Sequence, residues 1–217
     1  MVKQVREPRL ARSLEPVPAE DVDDDVELEH VELRGELLAA NAERVTILGS
    51  RLVEVRLTGA QLSGLRLRDV VLEQCDLAGA LLDGARMERC AFVDCRLSGA
   101  ALSTAKLRHV SFRLSRMDTA SFRMATLETA RFGSCDLRQA DFYDASMLEG
   151  QLLDCDLAGA DFSKARLAGT ELHGSRLDGV VGAPSLRDVV VDSGQAIELG
   201  QALLAAHGVV VADEPTS

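Results

Sequence analysis

The feature that most constrains the fold is an apolar residue at every fifth position from Leu52 to Leu177. All 26 of these consecutive positions hold Leu, Phe or Met, without one polar residue. On an α-helix a step of five advances about 500°, so the series would spiral around every side. On an unbroken β-strand the same step changes face each time, because side chains alternate with period two. The chain must therefore turn a corner after every fifth residue if all of these side chains are to be buried.

A second register lies two residues before each apolar centre and is almost always small, as at Ala60, Val70, Cys75 and Ala80, with Leu65 as the large exception. The residue between the two registers is usually polar. Both registers point inward if each unit is one side of a coil, and the residue between them then points outward. Four sides make a coil of about 20 residues, and coils stack at the ~4.8 Å spacing of adjacent strands. The 26 units then form about six and a half coils and a rod about 31 Å long.

The rarer residues support a period of 20. The six Phe fall into two series with this spacing, and four of the five Cys share one column, in which Ser115 and Ser175 fill two other rungs. The members are Phe92, Phe112 and Phe132; Phe122, Phe142 and Phe162; and Cys75, Cys95, Cys135 and Cys155. We therefore predict two Phe ladders on opposite inner walls and one column of thiols.

The units at Cys75–Gly79, Ala140–Phe142 and Ala160–Ser163 read as A(D/N)LxX, and this motif resembles the pentapeptide-repeat family over about residues 45–180. The resemblance implies an all-β solenoid, a right-handed quadrilateral parallel β-helix. It also implies a protein that binds partners. The best-known partners of the family are type II topoisomerases: a dimeric rod mimics duplex DNA, occupies the DNA-binding saddle of gyrase and can protect it against quinolones.

The two ends of the chain differ from the repeats. The net charge of −11 divides into −6 for residues 1–39, −1 for 40–182 and −4 for 183–217. We predict a disordered tail at 1–25, where an acidic run coincides with few apolar residues, then the β-helix at 26–182 and a capping or dimerisation segment at 183–217. The first coil is expected in a register displaced by one residue. Its apolar residues are Val26, Leu28, Val31, Leu33 and Leu38.

A short α-helix is predicted after the repeats, because Asp192 or Ser193 can cap it and Gly208 can end it. Its apolar face holds Ala196, Leu199, Leu203 and Ala206, and we predict that these residues cap the last coil, pair with a second copy, or both. Residues 209–211, three valines, are expected to form a short strand. Residues 195–208 are similar to the C-terminal ending of mycobacterial quinolone-resistance members of the family, in which the end of the rod forms a homodimer.

The sequence contains no arrangement typical of catalysis. No Ser–His–Asp or Cys–His pattern follows from the four His, and the common phosphate-binding and zinc-protease motifs do not occur. The Cys column allows occasional oxidation or metal binding, but inert buried thiols are the favoured interpretation, since these positions exchange with Ala, Ser and Val. We therefore expect no enzyme activity, no cofactor and no metal. The N-terminus has no signal-peptide pattern and no membrane-length apolar run occurs, so we expect a cytoplasmic protein with reduced thiols.

Surface charge suggests where partners bind. Residues 86–138 carry a charge of +5 and residues 141–178 a charge of −5. The candidate partner-binding residues are Asp141, Asp144, Asp154, Asp156, Asp161, Asp178, Arg66, Arg86 and Lys106. The first hypothesis is a protein-binding scaffold with DNA gyrase as partner, although the balanced charge of the repeats is poor for a DNA mimic. The alternative is a structural or regulatory module that binds another protein or nucleic acid through its basic 86–138 surface. We do not expect direct binding of nucleic acid. The favoured interpretation of the charge pattern is that alternating ion pairs across the rungs keep the rod soluble.

Overall fold

A computed structural model describes residues 4–22, 24–36 and 41–209. The described chain forms short parallel strands, two 3₁₀ turns (Ala19–Asp21 and Ala183–Ser185) and one α-helix, α1 (Ser193–Ala206). In chain order the strands β1 to β13 are Glu15–Pro18, Glu27–Glu29, Val31–Glu36, Asn41–Glu43, Thr46–Leu48, Arg51–Arg56, Gln61–Ser63, Arg66–Glu73, Arg86–Val93, Lys106–Arg113, Thr126–Glu128, Arg131–Gly133 and Gln151–Leu153.

Every fifth residue from Arg44 to Gly179 has a positive φ. These left-handed residues are the corners that the five-residue period requires. Glycine occupies only some of them, and Thr104, Leu114 and Met124 adopt the same conformation. A left-handed L-residue costs roughly 1–2 kcal/mol. The stacked coils stabilise it through main-chain hydrogen bonds between each coil and the next, as from the Leu97 N–H to the Arg116 carbonyl at 2.6 Å.

The strands stack in register with a step of 20 residues, so the molecule is a parallel β-solenoid as predicted. Arg66 pairs with Arg86 and Arg86 with Lys106, and isolated bridges continue the same step through the later coils. We name the four faces by their buried centres. Face A holds Leu67, Met87, Leu107, Leu127, Met147 and Leu167; face B holds Leu72, Phe92, Phe112, Phe132, Leu152 and Leu172; face C holds Leu57, Leu77, Leu97, Met117, Leu137, Leu157 and Leu177; face D holds Leu62, Leu82, Leu102, Phe122, Phe142 and Phe162.

The core is a narrow column of stacked side chains. On face B the Phe112 ring stacks on Phe92 and Phe132, with centroid distances of 4.7 and 4.9 Å. On face D, opposite, the centroids of Phe122 and Phe142 are 5.1 Å apart. The two ladders meet edge to face, with 5.8 Å between the centroids of Phe122 and Phe132. The predicted ladders on opposite inner walls are confirmed, and stacked and edge-to-face contacts are the geometries that aromatic rings favour.

The N-terminal coil has the displaced register that the sequence predicts. Leu28 pairs with Ile47 and Leu33 with Leu52, a step of 19, whereas Ile47 pairs with Leu67, a step of 20. A β-bulge between Arg34 and Glu36 accompanies the shift. Leu38 lies outside the described residues.

The structure differs from the prediction of a disordered tail over residues 1–25. β1 pairs with β3 in parallel, and Ala19 and Val22 are buried in the core cluster at the first coil. The physical reason is that an open solenoid end exposes apolar side chains and strand edges, so even a few apolar residues gain by covering it. Residues 4–14, which we call the N-terminal strap, extend along the outside of the rod: the Arg9 N–H donates to Asp69 Oδ1 at 3.0 Å.

The C-terminal helix begins and ends where the sequence indicates. Asp192 is the N-cap, and its side chain and that of Gln195 form a reciprocal capping box. The helix ends at Ala206, and Gly208 follows with a φ of 71°. Val209 lies outside any strand, and residues 210–211, the remainder of the predicted short strand, lie outside the described residues.

Candidate interaction surfaces

Face A carries a column of three cations. Arg66, Arg86 and Lys106 occupy the outward position before the buried centres, on adjacent strands of one ladder. All three are exposed, and none forms an ion pair with any residue of the described ranges. The structure therefore brings together the three basic residues that the sequence proposed for partner binding. Arg166, in the same column, is three coils beyond Lys106, because Thr126 and Ser146 fill the rungs between.

The other outward column of face A alternates in sign. It runs Arg68, Glu88, Arg108 and Glu128 along the rod. The Arg108 guanidinium lies 3.7 Å from a Glu88 carboxylate oxygen and 3.6 Å from one of Glu128. These exposed pairs are worth little individually, but they neutralise this column.

The six acidic candidates lie on two neighbouring faces and the corners beside them. Asp141 and Asp161 occupy adjacent rungs of face D. Asp156 lies on face C with its Oδ2 2.9 Å from Arg176 Nη2, and Asp178 lies 3.6 Å from Arg176 Nε. The other two, Asp144 and Asp154, are left-handed corner residues. The structure thus places these carboxylates on and beside faces C and D, with Asp144 at the corner that faces D and A share, and internal arginines neutralise part of them.

Face D also holds the single tyrosine. The Arg123 guanidinium carbon lies 4.3 Å from the Tyr143 ring centroid, and Lys164 Nζ lies 2.6 Å from the phenol oxygen. Arg123 also bonds to Asp141 Oδ2 at 2.8 Å. These cations shield the tyrosine and one acidic candidate from an outside partner.

Two family models match the chain. One, described as a pentapeptide repeat region, matches residues 85–154, and the other, described as pentapeptide repeats in eight copies, matches residues 50–89 and 151–181. Together they cover residues 50–181, well over half of the 217-residue chain, and this region coincides with the uninterrupted series of left-handed corners. The chain belongs to the pentapeptide-repeat family. The right-handed sense of the helix is what this membership implies.

Solved structures of other pentapeptide-repeat proteins are similar in fold. Full-length QnrB1, a plasmid-mediated fluoroquinolone resistance protein, is 21% identical, with 82% of this chain and 98% of that chain covered and a TM-score of 0.36. HetL, involved in heterocyst differentiation regulation in the cyanobacterium Nostoc sp. strain PCC 7120, is 23% identical, with coverages of 77% and 87% and a TM-score of 0.35. The search of curated proteins gave no match.

The C-terminal end of this pentapeptide-repeat rod is a surface with two sides. Towards the rod, the Gln195 amide donates to the carbonyl oxygens of Leu172 and Ser175, the latter at 2.6 Å, and Glu198 Oε2 accepts the Leu177 N–H at 2.8 Å. Polar side chains of α1 therefore satisfy main-chain groups that an open solenoid end would leave without partners.

The four residues predicted for dimerisation divide between the two sides of α1. Leu199, half-buried, packs against the core cluster, and Ala206 borders a groove between α1 and the last coil. Leu203 is half-buried and Ala196 is exposed. The sequence analysis missed Ile197 and Leu204, which are 67% and 41% exposed. A helical wheel places them about 180° from Gln195, so the position of that buried polar residue is the signal that would have found them.

The thiol column is buried and unbridged. All five Cys are free and at most 2% exposed. Burial raises the pKa of the Cys90 thiol to about 12, and the neighbouring Cys75 thiol together with burial raises the pKa of Cys95. Ser115 occupies one rung of this column, and its hydroxyl oxygen accepts a hydrogen bond from the Cys95 N–H at 3.1 Å. Burial keeps all five thiols out of contact with solvent.

The strap covers a corner column that the sequence analysis did not single out. Asp69 forms a bidentate pair with Arg89, with both oxygen–nitrogen distances at 2.7 Å, and accepts the Arg9 N–H. Two rungs further, His109 is only 7% exposed despite its corner position, and its Nδ1 has no hydrogen-bond partner among the described residues. Burial, and then the positive charges of Arg6 and Arg108, lower the pKa of His109.

Over the ranges that the structure describes, no group of three or more His, Cys, Asp or Glu is arranged to hold a metal ion. No helix in those ranges has the length and apolar character needed to span a bilayer. The candidate surfaces are therefore the basic column of face A, the acidic half of faces C and D, and the outward side of α1.

Proposed function

We propose that this pentapeptide-repeat rod is a non-catalytic protein-interaction scaffold that acts as a homodimer through α1. The observation that carries the dimer is the pair of exposed apolar residues Ile197 and Leu204 on the outward side of the helix. Polar contacts anchor the opposite side of the helix to the last coil, so the apolar side is available to a second copy. Burying such a face against its own copy removes apolar area from water.

Light scattering coupled to size-exclusion chromatography tests the dimer. We expect the full chain to have twice the monomer mass. The double variant Ile197→Asp/Leu204→Asp is expected to be monomeric, because two carboxylates would be desolvated in the interface. The control Gln139→Asp places a carboxylate at an exposed corner of the rod, outside α1, and should remain dimeric. A monomeric native chain, or a double variant that is still dimeric, would reject this assignment.

The partner that we propose for the dimer is DNA gyrase, in the cytoplasm, with the acidic half of the rod facing its DNA-binding surface. The supporting observation is that Asp141, Asp144 and Asp161 lie together on and beside face D, with Asp154, Asp156 and Asp178 on and beside the neighbouring face C. A surface that binds DNA phosphates attracts carboxylates through the same electrostatic field. Some of these carboxylates, above all Asp161, form no ion pair with an arginine in the part of the rod that the structure describes. We expect these carboxylates to make the closest contacts with gyrase.

A gyrase supercoiling assay, with and without a quinolone, tests this partner. We expect the dimer to inhibit supercoiling or reduce quinolone-induced cleavage. The charge reversal Asp156→Lys/Asp161→Lys should abolish the effect. The control Glu54→Lys/Asp83→Lys makes the same change of charge in the N-terminal half and should leave the effect intact. If the dimer has no effect at micromolar concentration, gyrase is not the partner, and affinity capture from the native host with the same variants then tests the scaffold itself.

A further inference from the structure

The basic column of face A is a row of three adjacent cations, none of which forms an ion pair with a residue of the described ranges. Arg66, Arg86 and Lys106 stand on adjacent parallel strands, so their Cα atoms follow one another at the 4.7–4.9 Å spacing of hydrogen-bonded strands. Like charges that face each other across strands are destabilising. The rod therefore bears an electrostatic cost at this column that its fold does not require.

The companion column of the same strands shows that solubility does not explain this arrangement. There Arg68, Glu88, Arg108 and Glu128 alternate in sign, and Arg108 is shared between both glutamates. Face A thus presents a column of alternating charge on one side and a purely cationic column of Arg66, Arg86 and Lys106 on the other. A binding site for an anion accounts for the difference, since only a negatively charged ligand relieves the repulsion.

The corner beside the ladder is open. Gly64 and Gly84 occupy the corner positions between faces D and A, so no side chain stands beside Arg66 or Arg86 on that side. Arg44 holds the same corner one coil earlier, and these residues line a shallow groove. The Arg44 guanidinium already pairs with Asp25 and Glu43. Arg66, Arg86 and Lys106 are all exposed, and Thr104 occupies the corner beside Lys106.

We propose that this ladder binds the phosphate backbone of a DNA duplex. An extended polyanion is indicated because the cations form a straight row about 9.6 Å long, and a duplex carries one phosphate charge per ~1.7 Å of its axis, more than one for each cation. Guanidinium groups bind phosphate oxygens bidentately. A protein partner fits less well, because interfaces between proteins rely on aromatic and apolar anchors. The outward positions of face A hold no aromatic residue from Arg66 to Ala168, all of which the structure describes.

This inference departs from the sequence-based expectation that nucleic acid is not bound directly. The total charge of residues 40–182, which is −1, gives no sign of such a site. The total conceals an uneven distribution: three adjacent cations without ion pairs in the described ranges stand in one column of face A, and the carboxylate candidates lie on and beside faces C and D. Net repulsion from a chain of charge −11 makes the binding weak and strongly dependent on salt.

Fluorescence anisotropy of a labelled DNA duplex, titrated with the full chain from low to physiological salt, tests the proposal. Three neutralised phosphates give an expected slope of log K against log salt of about −2.7. Arg86→Ala should weaken binding at low salt and reduce the magnitude of the slope by about 1. The control Arg131→Ala removes an exposed arginine of face B and should leave the slope unchanged.

Three results would overturn the proposal. The first is no binding at low salt. The second is binding that Arg66→Ala, Arg86→Ala and Lys106→Ala leave at native strength. The third is an acidic peptide of equal charge that competes at lower concentration than unlabelled duplex, which would assign the ladder to a protein partner instead. The three residues are exposed, so circular dichroism of each variant is expected to match the native chain.

Discussion

The main-chain N–H of Arg9 donates a hydrogen bond to the Asp69 carboxylate, across sixty residues of sequence and at 3.0 Å. The same carboxylate holds both nitrogens of the Arg89 fork. One buried charge on the rod therefore fixes both a neighbouring coil and the N-terminal strap. The positive charge of Arg6, in the same strap, acts on His109 two rungs along, which is 7% exposed.

Asp69→Asn is expected to release the strap. The variant keeps an acceptor and tolerates the left-handed corner, but it loses the charge that strengthens both hydrogen bonds, each worth roughly 1.5–3 kcal/mol. Trypsin should then cleave after Arg6, Arg9 and Arg12 at least several-fold faster than in the native chain. Asp94→Asn makes the same change at an exposed corner residue and should leave the cleavage rate as it is. Equal rates for all three proteins would mean that Asp69 does not hold the strap.

Acidification should loosen the strap through His109. The pKa of His109 is lowered when the strap is docked, so the detached state binds more protons. The contribution of His109 to strap docking is therefore fully present above the ordinary pKa of about 6.5. It is lost as the pH falls through the lowered pKa. The groups that face His109 are Arg6, Arg89, Arg108 and Glu128. Hydrogen exchange of the strap amides, corrected for intrinsic rates, should show lower protection at about pH 5 than at about pH 7. His109→Gln should remove this difference, and a strap whose protection is independent of pH would contradict the assignment.

Phe132→Ala should be among the most destabilising single changes in the rod. Its ring stacks on Phe112 and meets Phe122 and Phe142 edge to face. The slender core cannot collapse into the space left behind, so the expected cost is about 3–5 kcal/mol of unfolding free energy. Arg131→Ala, one residue earlier and pointing outward, should cost less than about 0.5 kcal/mol. Urea unfolding of both variants measures the difference, and similar midpoints would disprove the ladder's role.

Gln195→Ala should detach α1 from the last coil. The change leaves the carbonyl oxygens of Leu172 and Ser175 without their donor, at about 1–3 kcal/mol for each unsatisfied group. Hydrogen exchange in α1 is then expected to rise by more than tenfold, while exchange in β9 and β10 stays unchanged. Gln201→Ala removes an exposed glutamine of the same helix and serves as the control. Normal protection of α1 in Gln195→Ala would show that the helix is held by its apolar contacts alone.

Gly182→Ala should disrupt the end of the solenoid. A Cβ there would lie 2.3 Å from the Ser163 main-chain nitrogen, in a residue whose φ is 74°. Gly179→Ala has a similar φ of 62° but meets nothing within 4 Å, so it should cost only the left-handed penalty of roughly 1–2 kcal/mol. The melting temperature of Gly182→Ala should therefore be clearly lower than that of Gly179→Ala. Equal melting temperatures would contradict the close contact at Gly182.

Much of the fold follows from the sequence because the repeat is local and one-dimensional. A residue such as Phe112 contacts the residues 20 before and 20 after it, so the period alone predicts its neighbours Phe92 and Phe132. The same argument placed Arg66, Arg86 and Lys106 in one column. It failed for residues 4–22, because the strap and β1 follow no repeat and are held by single contacts such as that between Arg9 and Asp69.

The sequence by itself determined the coil, its corners, its buried ladders and its family, since a strict period of five leaves one way to bury every fifth side chain. Only the tertiary structure decided which charges remain without partners, which side of α1 faces solvent and what covers His109. Those properties depend on side-chain directions and on contacts between segments with no common period. A spacing rule carries no information about them.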